Sequence, residues 1–251
     1  MALRVVPDRA GQVDACLATV MDPELDEPVT ELGFVTGVDI GAGGEVRVGF
    51  RLPTYWCAAN FAFLMADDMR RALLALPWVT QAQVVLHDHM YAEAINLGVG
   101  AGEGFQACFA GAAEGGLEGL RRTFLLKAFQ RRQAALLQYL LDQTVAPERL
   151  AAMDLEGLRT LALDYEGELL VERYLDRRGV VDAGPRAFVD VDGRPLAAEG
   201  LTRHLRELAR VGVNAEFNSV LCRGLLAVRD KEAGVQPIAI VRRPTERRGA
   251  A

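Results

Sequence analysis

EVRVGFRLPTYWCAANFAFLMADDMRRALLAL, residues 45–76, changes its period half-way along. Val46, Val48, Phe50 and Leu52 alternate with Glu45, Arg47, Gly49 and Arg51, the period-two pattern of a strand with one buried face. Pro53 cannot donate to a ladder and ends the strand. After a short Thr54-Tyr55-Trp56-Cys57 loop, Phe61, Leu64, Met65, Ala72 and Leu76 recur at helical spacing as far as Pro77. A cysteine therefore stands where a strand gives way to a helix.

The first turn of a helix carries unpaired N–H groups and a partial positive charge, both of which favour a thiolate. Cys57 in that position is a candidate metal ligand or nucleophile. The competing reading is a small apolar filler packed beside Trp56 and Phe61. Thr54, in the same loop, is grouped with Cys57 as a candidate binding residue.

Upstream, residues 12–21 place Val13, Cys16, Leu17 and Val20 at helical spacing, ended by Pro23. The next segment, DPELDEP, sets four carboxylates, Asp22 and Glu24 among them, around two prolines, which predicts a rigid acidic turn. It reads either as a solvated turn or as part of a site. Residues 34–40 form a second strand, and Gly41-Ala42-Gly43-Gly44 closes a hairpin with residues 45–52. Downstream, residues 79–86 alternate as a further strand, and His87 and His89 extend its more polar face. Two imidazoles at i and i+2 suit metal binding or proton transfer, or are simply structural.

Composition limits the alternatives. The chain has 251 residues, about half hydrophobic and a quarter charged, with a net charge of −6. That charge argues against broad nucleic-acid binding. No apolar run is long enough to cross a bilayer, and none follows the first residues as in a secretory signal, so the expectation is a cytoplasmic protein without membrane partners. Cys16, Cys57, Cys108 and Cys222 form no CxxC pair, which suggests neither a zinc ribbon nor a disulfide framework. No GxGxxG or P-loop spacing occurs around Gly33.

The glycine- and alanine-rich residues 99–119 read as a flexible linker between an N-terminal domain, 1–98, and a C-terminal domain, 120–251. Residues 120–141 predict a long amphipathic helix with Arg121, Arg122, Lys127, Arg131 and Arg132 on its polar side. Further helices follow, then a short strand at 187–191, and a helix at 201–211 with His204 on its surface. Residues 214–222 collect polar groups but read as structural, Cys222 included; the tail from 242 reads as frayed. The fold class is α+β: a small helix-plus-antiparallel or mixed-sheet domain followed by a mainly helical one.

Residues 13–97 resemble the PaaD-like and SufT-like family of metal-sulfur cluster assembly factors. The resemblance rests on the helix ending in Asp22-Pro23-Glu24, on Glu31-Leu32-Gly33-Phe34-Val35, on Pro53-Thr54-Tyr55-Trp56-Cys57, and on Leu76-Pro77-Trp78-Val79. It implies a small domain that assembles or delivers iron-sulfur clusters, some members serving oxygenase systems. Cys57 then corresponds to the reactive loop cysteine, and Asp22 and Glu24 to the acidic motif. Trp78 departs from the family's usual glycine, and His87-Asp88-His89-Met90 from its usual ending.

The leading expectation is a non-enzymatic maturation factor that transiently holds iron or an iron-sulfur cluster through Cys57 and passes it to a client apo-metalloenzyme, such as an oxygenase component. His87 and His89 are the further candidate metal ligands, and Asp22, Glu24 and Thr54 complete the candidate binding set. A homodimer would bring a cysteine from each chain to one shared site. Two rivals stand beside it: a metal-free interaction factor that grips a client, and a cysteine-nucleophile enzyme with His87 or His89 as base.

Overall fold

The computed structural model of the chain describes residues 8–109, 116–233 and 240–242. They divide into two compact units, Met1–Leu117 with Ser219–Ala251, and Glu118–Asn218. In chain order the elements are α1 (Arg9–Leu17), β1 (Val35–Ile40), β2 (Glu45–Arg51), α2 (Ala59–Leu74), β3 (Gln81–His87), α3 (Ala92–Ala101), α4 (Phe105–Cys108), α5 (Gly116–Asp142), α6 (Pro147–Ala152), α7 (Leu155–Arg159), α8 (Tyr165–Arg178), α9 (Leu201–Ala233) and β4 (Ile240–Arg242). The α+β class expected from the sequence is observed, with a mixed sheet near the N-terminus and a mainly helical remainder.

In the first unit the described strands lie in the order β3-β2-β1-β4. β1 and β2 are antiparallel, while β2 pairs in parallel with β3, Val46 opposite Ala82 and Arg51 opposite His87. A parallel pair needs a crossover, and α2 supplies it. The alternation in β2 buries Val46, Val48 and Phe50 on the face against which α2 lays Phe63, Met65, Met69 and Leu73. The hairpin turn requires its glycine at position 44. There φ is +95°, and an added Cβ would stand 2.3 Å from the Trp78 carbonyl oxygen.

Several sequence expectations shift. The first helix ends at Leu17, because the chain turns through Thr19 into the acidic segment instead of continuing to Met21. β3 ends at His87, since Asp88 takes a left-handed φ of 51° and swings His89 out of the strand's alternation. The described part of the glycine-rich region is helical: α3 and α4 fill residues 92–101 and 105–108. One glycine of α3, Gly98, serves packing. A Cβ on Gly98 would fall 1.9 Å from Cys108 Sγ, so the cysteine occupies the space a side chain would need. Residues 110–115 of that region and the tail from 243 lie outside the described residues.

The second unit packs Phe129, Leu136, Leu140, Tyr174, Phe188 and Leu201 into its own core. Gln133, fully buried, ties it together: its amide N–H group donates to Tyr174 Oη at 3.2 Å and Val189 O at 2.8 Å, and its Oε1 lies 2.7 Å from His204 Nε2. His204 is thus half-buried and partnered, not a surface group, and burial pushes its pKa down. Arg132 leaves the expected solvated face to donate to Arg173 O at 2.6 Å. Residues 187–191 form no continuous strand, only isolated bridges such as Val189 with Pro195. Arg178 caps the carbonyls of Val181, Gly184, Arg186 and Ala187 in that irregular segment, which replaces the ladder it lacks.

Candidate functional site

The acidic segment folds back on itself. Val29 N–H donates to Val20 O and Asp22 N–H to Glu27 O, both at 2.9 Å, and Asp26 N–H donates to Asp22 O with a left-handed φ of 54° at Asp26. Inside this loop, Asp22 Oδ1 accepts from Glu24 N at 2.9 Å and Leu25 N at 2.8 Å, the local pattern that Asp and Asn favour in turns. The turn is not solvated as a whole, because Asp22 is only 7 % exposed. Burial pushes its carboxyl up to about 6; the two backbone donors oppose that rise, and the charges of Glu24 and Glu27 add to it.

The cysteine loop leaves β2 after Arg51. Cys57 precedes the α2 N-cap residue, Ala58, by one position, and Ala58 offers no side-chain cap. The Cys57 Sγ lies 3.0 Å from Thr54 Oγ1. The thiol is half-buried against the first unit's core, while Tyr55 and Trp56 beside it project outward, Trp56 73 % exposed.

A turn after β3 braces this loop. His89 Nε2 lies 2.8 Å from Cys57 O, and His89 Nδ1 accepts from Tyr91 N–H at 3.2 Å. An acceptor Nδ1 fixes the proton on Nε2, which then donates to the Cys57 carbonyl. His89 is buried and both its ring nitrogens are engaged with backbone, so it orients the loop. Met90 N–H adds a bond of 2.9 Å to Tyr55 O. His87 is exposed at the end of β3, its ring near Gly49 on the neighbouring strand. The two histidines therefore do not converge as a His-x-His pair on one strand face.

The second half of α9 completes the surroundings, and nothing in its sequence reading anticipated that. Ser219 Oγ donates to Glu27 Oε1 at 2.7 Å; Arg223 pairs with the Glu27 carboxylate and donates to Glu31 O at 3.0 Å. Leu226 is buried against the N-terminal core beside Gly33. Arg229 donates to Leu52 O at 2.5 Å and Asp88 O at 3.3 Å. Cys222 lies among these anchors, half-buried. Burial pushes its thiol up to about 11, and the nearby charges of Asp22, Cys57 and Glu24 push the same way. The only available clue in sequence was the spacing of Cys222 with Leu226 and Arg229. Side chains at 214–217 lie outside the described residues. Among the described residues, no three His, Cys, Asp or Glu side chains converge closely enough to hold a metal ion by themselves.

Residues 11–84, which carry α1, the acidic loop, the hairpin, the cysteine loop and most of β3, match the family model described as iron-sulfur cluster assembly protein. This region resembles that family. The resemblance drawn from its motifs is thereby supported independently. An iron-sulfur cluster carrier protein of Mycobacterium leprae is 46 % identical over 83 residues, which cover 33 % of this chain and 21 % of the relative. Carrier proteins of the same description from Mycobacterium bovis and Mycobacterium tuberculosis are 33 % identical over 82 residues, covering 31 % of this chain and 21 % of each. The match thus spans about a fifth of the length of these curated relatives. No solved structure matches the chain. Among the described residues no helix is long and apolar enough to cross a membrane.

Proposed function

We propose that this protein is a cytoplasmic maturation factor that takes up iron or an iron-sulfur cluster as cargo through Cys57 and passes it to a client apo-metalloenzyme. The observation that carries the reading is the Cys57 loop: a half-buried thiol beside a hydroxyl, at the mouth of a domain similar to cluster assembly and carrier proteins. Thiolate sulfur is a soft donor suited to iron and sulfide. Thr54 donates to or accepts from that sulfur and keeps it at the loop surface. His89 holds the backbone of the same residue and so sets the direction from which the sulfur meets cargo.

Transfer is binding and release, and no catalytic turnover is part of the reading. Exposed Tyr55, Trp56, Met90 and Tyr91 lie on the loops around the thiol and offer apolar contact to a client. An oxygenase component as the client comes from the family resemblance; a homodimer in which two copies share one cluster follows from the several ligands a cluster needs. Asp22, Glu24 and His87 are assigned supporting parts at the site's edge. The test is anaerobic loading with ferrous iron and sulfide, followed by transfer to an apo-ferredoxin. Wild type is expected to restore the ferredoxin spectrum and Cys57→Ser to lose at least nine-tenths of the transfer rate above free iron and sulfide. Equal transfer by both would overturn the proposal.

A further inference from the structure

The first unit holds a second thiol that the function above leaves unused. On α9, residues 219, 223, 226 and 229 all contact the N-terminal region, and at about 100° per residue they span an arc of roughly 120° on the helix surface. Residue 222 falls inside that arc, between 226 and 229. The anchors also fix where along the domain it lies. Ser219 and Arg223 are held by Glu27 of the acidic loop, and Arg229 is held by Leu52 O at the root of the cysteine loop and by Asp88 O in the turn that braces it. Cys222 therefore faces the N-terminal core at the level of the acidic loop, on the side of the helix from which Arg229, two turns further on, reaches the root of the cysteine loop. Both Cys57 and Cys222 are half-buried against the same core, and the Cys222 thiol feels the charges of Cys57, Asp22 and Glu24. Cys16 and Cys108 have other surroundings: Cys108 Sγ donates to Gly104 O at 3.4 Å, and Cys16 is raised by burial alone.

We propose that Cys57 and Cys222 act as one dithiol site, in which the C-terminal helix supplies the second sulfur ligand for a thiophilic cation such as ferrous iron. This deepens the reading of Cys57 as the cargo residue and rests on it. Iron binding replaces the two S–H bonds by two S–Fe bonds and releases two protons to solvent, with no change of oxidation state. Two sulfurs per chain supply half of the four thiolates that iron-sulfur clusters commonly take, so two copies could hold one cluster with protein ligands alone. The second half of α9, which belongs to the first unit, thereby gains a role at the site, because its docking decides whether the second sulfur is present.

The test uses phenylarsine oxide on the full chain under reducing, native conditions. This probe condenses with two adjacent thiols, forming two As–S bonds and releasing one water, and it binds single thiols weakly. Wild type is expected to take up one equivalent and to yield a bridged pair of peptides containing Cys57 and Cys222; Cys57→Ser and Cys222→Ser are each expected to lose at least ten-fold in affinity. Ferrous iron and sulfide loading runs in parallel, with metal retained after desalting as its readout. Loss of retention in Cys57→Ser but full retention in Cys222→Ser would overturn the dithiol and leave the Cys57 proposal standing; full retention in both would overturn the two together. A wild-type chain that takes up no arsenical, or one bridged through other cysteines, also overturns the dithiol. That arm needs no variant to fold, and Cys222→Ala checked by thermal melting covers the case in which serine disturbs the helix contact.

Discussion

Replacing Asp22 by asparagine should stabilise the first unit near neutral pH and have little effect in acid. The carboxyl is buried, and its pKa rises from the ordinary 3.8 to about 6, chiefly through desolvation. A group whose folded pKa is raised favours folding below its unfolded value, and that contribution is lost as pH climbs through the folded value. For Asp22 the window runs from 3.8 to about 6. At about 1.4 kcal/mol per pH unit, holding the ionised form in place costs the fold roughly 3 kcal/mol at pH 7.5. Asparagine keeps an Oδ1 acceptor for the Glu24 and Leu25 amides, bonds of 2.9 and 2.8 Å, and removes the charge. The expected gain is about 2 to 3 kcal/mol at pH 7.5, a shift of about 1 to 2 M in the urea midpoint. At pH 4 the two proteins should agree within about 0.5 kcal/mol. Tryptophan fluorescence is a suitable signal, since both tryptophans, Trp56 and Trp78, belong to the first unit. A gap of the same size at both pH values, or a variant less stable at pH 7.5, would refute the argument that burial dominates the charge of Asp22.

Three further substitutions test the packing that positions the site. Gly44→Ala should cost at least about 2 kcal/mol, because the new Cβ meets the Trp78 carbonyl at a φ of +95°; an unchanged urea midpoint would contradict this. Leu226→Ala should cost about 2 to 4 kcal/mol locally and loosen the second half of α9, read as faster amide exchange over residues 219–229; wild-type protection there would show that the buried leucine does not hold the helix down. Tyr174→Phe should destabilise the second unit by about 1 to 2 kcal/mol, since the lost hydroxyl donates to Ala187 O at 2.7 Å and accepts from Gln133; a melting curve of that unit identical to wild type would exclude the bond as a support.

The path from β2 through the cysteine loop to α2 was legible because one face of a strand and one face of a helix must each be apolar, and residues 45–76 change from period two to helical spacing at Pro53. The α+β class followed from the same pattern. What failed to show were features that depend on contacts far apart in sequence. Gly98 borders the stretch that reads as a flexible linker, yet it is small because Cys108 packs on it. His89 continues the strand's polar face on paper, yet the left-handed Asp88 turns it under the cysteine loop. Gln133 lies on a helix that reads as amphipathic, and only the folded unit gives its amide three partners. Cys222 is the sharpest case: the charged groups around it, Asp22, Glu24 and Cys57, belong to loops near the other end of the chain.

The central claim is that the Cys57 sulfur binds the cargo. Iron and acid-labile sulfide per chain, measured after anaerobic loading and desalting together with the visible charge-transfer spectrum, test it most directly. The account predicts bound iron, bound sulfide and a sulfur-to-iron band for wild type, all lost in a folded Cys57→Ser variant. The same iron, sulfide and band in that variant would contradict it.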